Sequence, residues 1–159
     1  MQEAVGGRQS APETRAVVDA SVVLAWYLPA EPHNDHALAL LGDAAAGRLK
    51  LYVPSLTRYE VLNVLSLAVR GIRRTKLSAK QAEEILRAFA EAGVEERGIA
   101  ELDTRVLDLA AKHHRSAYDA AYLALAESLD AELLTADTGF YRAVRGKFPR
   151  VKLVGDLTK

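Results

Sequence analysis

The chain has 159 residues, half of them hydrophobic, and its 21 basic side chains balance 21 acidic ones. This length and composition are typical of one globular domain with a sizeable buried core. A net charge of zero argues against a protein that binds nucleic acid over its whole surface and leaves room for a local basic patch. The sequence has no cysteine, which excludes disulfides and thiolate metal sites and is consistent with a reducing, cytoplasmic environment.

The first residues and the apolar runs bear on targeting. No apolar run approaches the roughly 20 residues that a membrane-spanning helix needs, so we expect no membrane span. Residues 1–15 lack the apolar stretch of a secretory signal. We therefore expect 1–15 to be a flexible leader and 16–159 to form a single folded domain.

Strands and helices alternate along the remaining chain. The apolar spacing and the flanking Gly, Pro and Ser residues predict the elements of the first half: a strand at 16–18, helices at 21–28 and 35–47, a strand at 49–53 that ends before Pro54, and a helix capped by Ser55 or Thr57. The second half is predicted to contain a helix at 77–93 capped by Ser78, a strand within 94–100, and helices at 101–114 and 116–129. A strand at 131–135, a short helix at 137–145 and a strand at 151–154 complete the chain. Such alternation is typical of an α/β fold with a parallel sheet and helices on both faces.

Four acidic residues stand out because they lie within or beside apolar segments. Asp19 follows the first strand, and Asp137 follows the strand at 131–135 by two residues. Glu60 and Asp119 lie in the first turns of helices that begin where strands end. Parallel sheets place functional groups at the carboxyl ends of their strands, so all four acids can converge on one rim.

Each acid also has an ordinary structural interpretation. Asp19 could cap the following helix, Asp119 could favour the positive end of its helix, and Asp137 could occupy a turn before Gly139. Glu60 is harder to explain in this way because its neighbours are apolar. Independent caps have no reason to share one edge of a sheet, and this favours a common site.

A cluster of four carboxylates needs either protonation or a cation, since like charges repel. The segments concerned offer only hard oxygen ligands, without cysteine or histidine. These ligands favour Mg²⁺ or Mn²⁺ over zinc. A phosphodiester suits such a site, because its oxygens can complete the metal shell while a coordinated water attacks.

Four segments carry a family resemblance. The stretches "VVDASVVLAWYL", "PSLTRYEVLNVL", "SAYDAAYLALAE" and "LLTADTGFYRAV" resemble the four acidic motifs of the PIN-domain ribonucleases, in order and spacing. The most similar members are the toxins of VapBC-type toxin–antitoxin pairs. The resemblance implies a three-layer α/β/α fold with a central, mostly parallel sheet of about five strands.

The same resemblance implies a function. It predicts a Mg²⁺- or Mn²⁺-dependent endoribonuclease whose metal-binding and catalytic acids are Asp19, Glu60, Asp119 and Asp137. Ser21, Asn63 and Thr135 occupy positions that would support the acids or the metal shell. It further implies a cognate antitoxin that inserts an arginine among the acids, and a homodimer in which exposed aromatics such as Trp26 and Tyr27 would take part.

Two alternatives from other classes stay open. A phosphate-handling α/β protein, such as a haloacid-type phosphatase, would need a second Asp two residues after the first, where this chain has Ser21. A catalytically silent PIN-fold interaction domain would keep the fold without the chemistry. Metal-dependent RNA cleavage would separate a nuclease from both.

Other motifs are ambiguous. We expect His33 and His36 at the exposed start of a helix, and His113 and His114 in the last turn of another. Four aromatic residues are expected to serve the core or a dimer contact: Trp26, Tyr27, Tyr118 and Tyr122. Two basic clusters are either solvated helix ends or patches that attract RNA: Arg70, Arg73, Arg74 and Lys76, and Arg142, Arg145, Lys147 and Arg150.

Overall fold

The structure, a computed structural model, describes residues 13–157. Five strands form one sheet: β1 (Arg15–Val18), β2 (Lys50–Pro54), β3 (Glu95–Arg97), β4 (Glu132–Thr135) and β5 (Val151–Leu153). Seven α-helices within the described residues cover it: α1 (Ala20–Tyr27), α2 (Asn34–Ala45), α3 (Leu56–Val69), α4 (Ala79–Glu91), α5 (Asp103–His113), α6 (Ala117–Ser128) and α7 (Thr138–Val144). Short 3₁₀ turns at Ala100–Leu102 and Val154–Asp156 precede α5 and follow β5.

The sheet is parallel throughout, with strand order β3-β2-β1-β4-β5. The predicted α/β class, the five strands and the parallel sheet are therefore confirmed. β1 begins at Arg15, one residue earlier than expected, and residues 1–12 of the predicted leader lie outside the described residues. No helix formed by residues 13–157 has both the length and the hydrophobicity to cross a lipid bilayer.

The alternation of side chains along the strands divides the core into two layers. Ala16 and Val18 face a cluster that includes α1, α2, α3 and α4, whereas Val17 faces a cluster built by α5, α6 and α7. β2 repeats the pattern with Tyr52 on the second side. Both faces of the sheet are buried, as expected for the three-layer arrangement.

The expectation of exposed aromatic residues on α1 is wrong. Trp26 is only 5% exposed and packs in the first core layer. Tyr27 is partly buried against the same layer, so neither residue provides the exposed surface that the predicted dimer contact would need. Tyr118, by contrast, is 65% exposed, because it lies on the solvent side of α6.

The predicted cap of α4 is confirmed, and the predicted cap of α3 is wrong. Ser78 forms a full capping box with Gln81, and Ser116 accepts a hydrogen bond from the backbone N–H of Asp119. Ser55 precedes α3 but makes no side-chain cap bond, because its own backbone is already helical. Thr57 lies inside α3, so the predicted cap from either residue is wrong.

Candidate active site at the carboxyl edge of the sheet

The strand order identifies one special edge. β1 and β4 are neighbours at the centre of the sheet, and the chain adds strands on opposite sides of this pair. In open parallel sheets such a switch point leaves a crevice beyond the carboxyl ends of the strands. Asp19 directly follows β1, and Asp137 lies two residues beyond β4.

A cavity of about 300 Å³ lies at this edge. Its lining includes all four predicted acids, which the fold brings together from four separate segments: Asp19, Glu60, Asp119 and Asp137. Ser21 and Asn63 also line it, and Thr135 lies beside it through a contact with Ser21. The fold therefore gathers every residue that the sequence predicts for the site.

Asp19 is a buried carboxylate that also caps a helix. Its Oδ1 accepts hydrogen bonds from the backbone N–H groups of Ser21 at 3.1 Å and Val22 at 3.3 Å, and from the Ser21 hydroxyl. Burial raises the pKa of Asp19 to about 6, although these bonds oppose the rise. Asp19 therefore caps α1, as the sequence suggested. All three hydrogen bonds end on its Oδ1, and its Oδ2 takes no part in them.

Two hydroxyl groups connect the ends of β1 and β4. The Ser21 Oγ accepts the backbone N–H of Ala136 at 2.9 Å and lies 3.3 Å from the Thr135 Oγ1. The Thr135 Oγ1 in turn accepts the backbone N–H of Asp137 at 3.0 Å. Ser21 and Thr135 therefore fix the backbone that carries two of the acids.

Asp137 and Asp119 form the more open side of the cavity. Asp137 is exposed and caps α7 by accepting the backbone N–H of Phe140 at 3.0 Å. Asp119 is half-buried, and desolvation raises its pKa, with a contribution from the negative charge of Asp137. Arg115 opposes this rise, with its Nε 3.5 Å from an Asp119 carboxylate oxygen.

Glu60 is held by a residue whose contribution the sequence does not reveal. The hydroxyl of Tyr122 donates to the Glu60 Oε1 at 2.9 Å. Burial raises the pKa of Glu60, with a further contribution from Asp119, and the Tyr122 bond opposes the rise. The ring of Tyr122 lies in the core, in agreement with expectation; its position one helical turn after Asp119 is the signal that could have placed its hydroxyl in the site.

Glu31 is a fifth acidic residue at the cavity, and the sequence pattern does not predict it there. It lies in the loop between α1 and α2 and pairs with Arg73 at 2.6 Å. Arg73 belongs to one predicted basic cluster and so reaches the rim of the site. Arg150, from the other cluster, donates instead to the backbone carbonyl of Ala131 at the opposite end of β4.

The donor set fits a hard divalent cation. The cavity presents carboxylate, hydroxyl and amide oxygens, and three of its carboxyls have raised pKa values because burial and mutual repulsion disfavour their charge. Within residues 13–157, no three His, Asp or Glu side chains converge tightly enough to enclose a metal ion alone. Oxygen donors of this kind suit Mg²⁺, which is bound through carboxylates and keeps several of its waters.

Comparison with known proteins defines the family. The PIN domain family matches residues 16–146, so this chain belongs to the PIN domain family. It is 36% identical to Ribonuclease VapC3 of Pyrobaculum aerophilum over 85% of the chain and 95% of that protein. It is 34% identical to Ribonuclease VapC9 of Mycobacterium tuberculosis over 76% of the chain and 84% of that protein.

Solved structures agree on the fold. The crystal structure of PAE2754 from Pyrobaculum aerophilum superposes with a TM-score of 0.64 at 24% identity, over 93% of this chain and 89% of that one. VapBC2 from Rickettsia felis, bound to a DNA fragment from its promoter, gives a TM-score of 0.63 at 15% identity, over 88% of this chain and 97% of that chain. Both confirm the predicted PIN-like α/β/α architecture.

Proposed function

We propose that this chain is a divalent-metal-dependent endoribonuclease that hydrolyses RNA phosphodiester bonds and acts as the toxin of a type II toxin–antitoxin pair. The supporting observation is a cavity lined by four carboxylates at the switch point of a PIN domain. The identity with relatives named VapC ribonucleases supports the same substrate class. The phosphatase alternative loses its basis, since the chain belongs to another family.

In this proposal four acids together hold Mg²⁺ or Mn²⁺: Asp19, Glu60, Asp119 and Asp137. The bound cation would supply Lewis-acid activation and neutralise charge that develops on the scissile phosphate. Ser21 and Thr135 keep the backbone of the two strand ends fixed. Asn63, one turn after Glu60 on α3, contributes an amide to the cavity lining.

Metal-dependent cleavage of RNA is the direct test. We expect a fluorescently labelled RNA to be cut internally with Mg²⁺ or Mn²⁺ and to stay intact with a chelator. Glu60→Gln should abolish cleavage, whereas Glu83→Gln on the exposed face of α4 should not. Cleavage that persists with chelator would contradict the metal requirement, and absence of cleavage with metal bound would favour the silent interaction domain.

We place the docking site of the antitoxin in a groove beside the Glu60 helix. A cavity of about 260 Å³ between α3, α4 and β3 is lined by apolar residues and a charged pair: Val53, Leu62, Leu86, Phe89, Ala90 and Val94, with Arg58 and Glu96. Tyr59, Leu62 and Val69 form an exposed apolar stripe on α3. This surface supports docking of a short apolar segment of a cognate antitoxin.

The antitoxin would block the acids with an arginine, since a guanidinium binds carboxylates in a bidentate manner and replaces the charge of the metal. Partner binding and Mg²⁺ binding should then compete in titrations. An unchanged metal affinity in the complex would contradict this mechanism.

The proposal has three further parts. We propose that the chain forms a homodimer, that residues 16–159 form a single domain, and that the protein acts in the cytoplasm, where cellular RNA is available.

A further inference from the structure

Tyr122 connects the two helices that carry Glu60 and Asp119. Its hydroxyl lies 2.9 Å from the Glu60 Oε1 and 2.7 Å from the Thr57 Oγ1. Tyr122 lies on α6, three residues after Asp119, whereas Thr57 and Glu60 lie one turn apart on α3. A chain of two hydrogen bonds thus joins α3 to α6 at the wall of the acidic cavity.

The direction of these bonds follows from the chemistry of the groups. An ionised Glu60 carboxylate only accepts hydrogen bonds, so the single Tyr122 proton is directed to it. The Thr57 hydroxyl then donates its proton to the phenol oxygen. Thr57 is fully buried and Tyr122 is 4% exposed, so water offers these hydroxyls little competition.

The phenol hydroxyl has a use beyond packing. A phenylalanine ring would fill the same core space in the second layer, where Tyr122 packs. The hydroxyl instead reaches the cavity and binds one oxygen of Glu60, which leaves Oε2 outside this bond. A glutamate side chain has several rotatable bonds, so a fixed donor on one oxygen restricts where the other points.

We infer that Tyr122, itself oriented by Thr57, is a positioning residue that holds the Glu60 carboxylate in place for the metal ion; this role rests on the proposed function of Glu60. Tyr122 acts through Glu60 and has no direct part in the reaction. Partners of this kind set the orientation of metal ligands, and their loss weakens metal binding or activity by about 10- to 100-fold.

The test compares variants that remove one hydroxyl each. Tyr122→Phe should weaken Mn²⁺ binding, measured by calorimetric titration, by about tenfold and lower kcat for RNA cleavage, with KM for RNA nearly unchanged. Thr57→Val should lower the Mn²⁺ affinity and kcat by a smaller factor, whereas Thr57→Ser, which keeps the hydroxyl, should have wild-type values. Tyr52→Phe is the matched control, because Tyr52 is buried in the same core layer outside the cavity lining.

A double-variant comparison separates positioning from a general structural effect. In a Glu60→Gln background, Tyr122→Phe should no longer change Mn²⁺ affinity, since the group through which it acts is altered. The positioning role would be overturned if Tyr122→Phe and Thr57→Val both bound Mn²⁺ with wild-type affinity. It would also be overturned if Tyr122→Phe lowered the Mn²⁺ affinity equally in the wild-type and Glu60→Gln backgrounds. A wild-type chain that neither binds Mn²⁺ nor cuts RNA would overturn the proposed function itself, and the role of Tyr122 with it.

Discussion

Asp19 shows how one carboxylate can serve both the fold and the site. Its Oδ1 caps α1, and this bond holds the side chain at the end of β1, where the cavity begins. The buried location is unfavourable for a charge, which is why its pKa rises to about 6. Without a metal, the ionised form therefore destabilises the folded chain at neutral pH.

Replacing Asp19 with Asn should stabilise the metal-free protein at pH 7.5. The rise of the pKa from 3.8 to about 6 corresponds to a destabilisation of roughly 3 kcal/mol at most. Asparagine keeps a side-chain oxygen that can cap α1, so the helix start is retained. Chemical denaturation with chelator present should show the gain, and RNA cleavage should be lost.

Asp35→Asn is a suitable control, because Asp35 is an exposed acid in the first turn of α2. It should leave cleavage unchanged. Retained cleavage in Asp19→Asn would contradict a metal-binding role for Asp19. A loss of stability in that variant would instead show that the charge of Asp19 is well compensated in the metal-free state.

The stability difference between wild type and Asp19→Asn should depend on pH. The folded-state pKa of Asp19 is raised, so the folded state binds its proton more tightly than the unfolded state, and ionisation weakens the fold as pH rises through about 6. The advantage of the Asn variant should therefore be full above pH 7, shrink as the pH falls, and vanish below the unfolded-state pKa of 3.8. A difference that stays constant between pH 4 and pH 7.5 would contradict this origin.

At the level of strands and helices, sequence patterns predict the sheet well. The apolar strands at Ala16–Val18 and Leu133–Leu134 carry residues buried on both faces, which is typical of central parallel strands. Because the ends of these strands can be recognised in the sequence, the positions of Asp19 and Asp137 just beyond them can be predicted as well. Helix periodicity could not show that Trp26 is buried, since apolar residues occupy every position of α1 except Ser21 and Tyr27.

The contacts that the sequence does not reveal are tertiary. The bond between Tyr122 and Glu60 joins residues 62 positions apart, and the Glu31–Arg73 pair joins residues 42 apart. Such pairs depend on how α3 packs relative to α6 and to the loop after α1. Local spacing does not fix this packing, so the sequence could place the four acids and Ser21 but could not show which side chains hold Glu60 and Glu31.

The turn after β5 depends on a close contact with the start of α2. A Cβ added at Gly155 would lie 2.4 Å from the His33 Nδ1, closer than atoms can approach. Gly155→Ala should displace the His33 ring and lower the free energy of unfolding by about 1–3 kcal/mol. Chemical denaturation measures this effect directly.

Gly98→Ala is the matched control, since an added Cβ there meets no atom within 4 Å. It should change the free energy of unfolding far less. The double variant His33→Ala with Gly155→Ala should recover part of the loss, because the clashing ring is gone. Equal stability of Gly155→Ala and wild type would mean that His33 rotates away at little cost.

At the scale of the whole molecule, the two faces of the sheet offer different surfaces. The proposed antitoxin groove lies between α3 and α4, on the side of the first core layer. The opposite side carries α5 and α6, where Leu107 is 70% and Tyr118 is 65% exposed. Large apolar side chains that are exposed in a monomer often mark contacts between proteins.

We expect the homodimer to use the α5–α6 side, because a dimer there leaves the groove between α3 and α4 free for the partner. Leu107→Glu should convert the dimer to a monomer in sedimentation velocity experiments, since it would bury an unpaired charge in the contact. Leu62→Glu, in the groove, should leave the dimer intact and weaken antitoxin binding. A wild-type monomer at micromolar concentration would contradict the dimer. A dimer broken by Leu62→Glu and not by Leu107→Glu would place the contact on the other face.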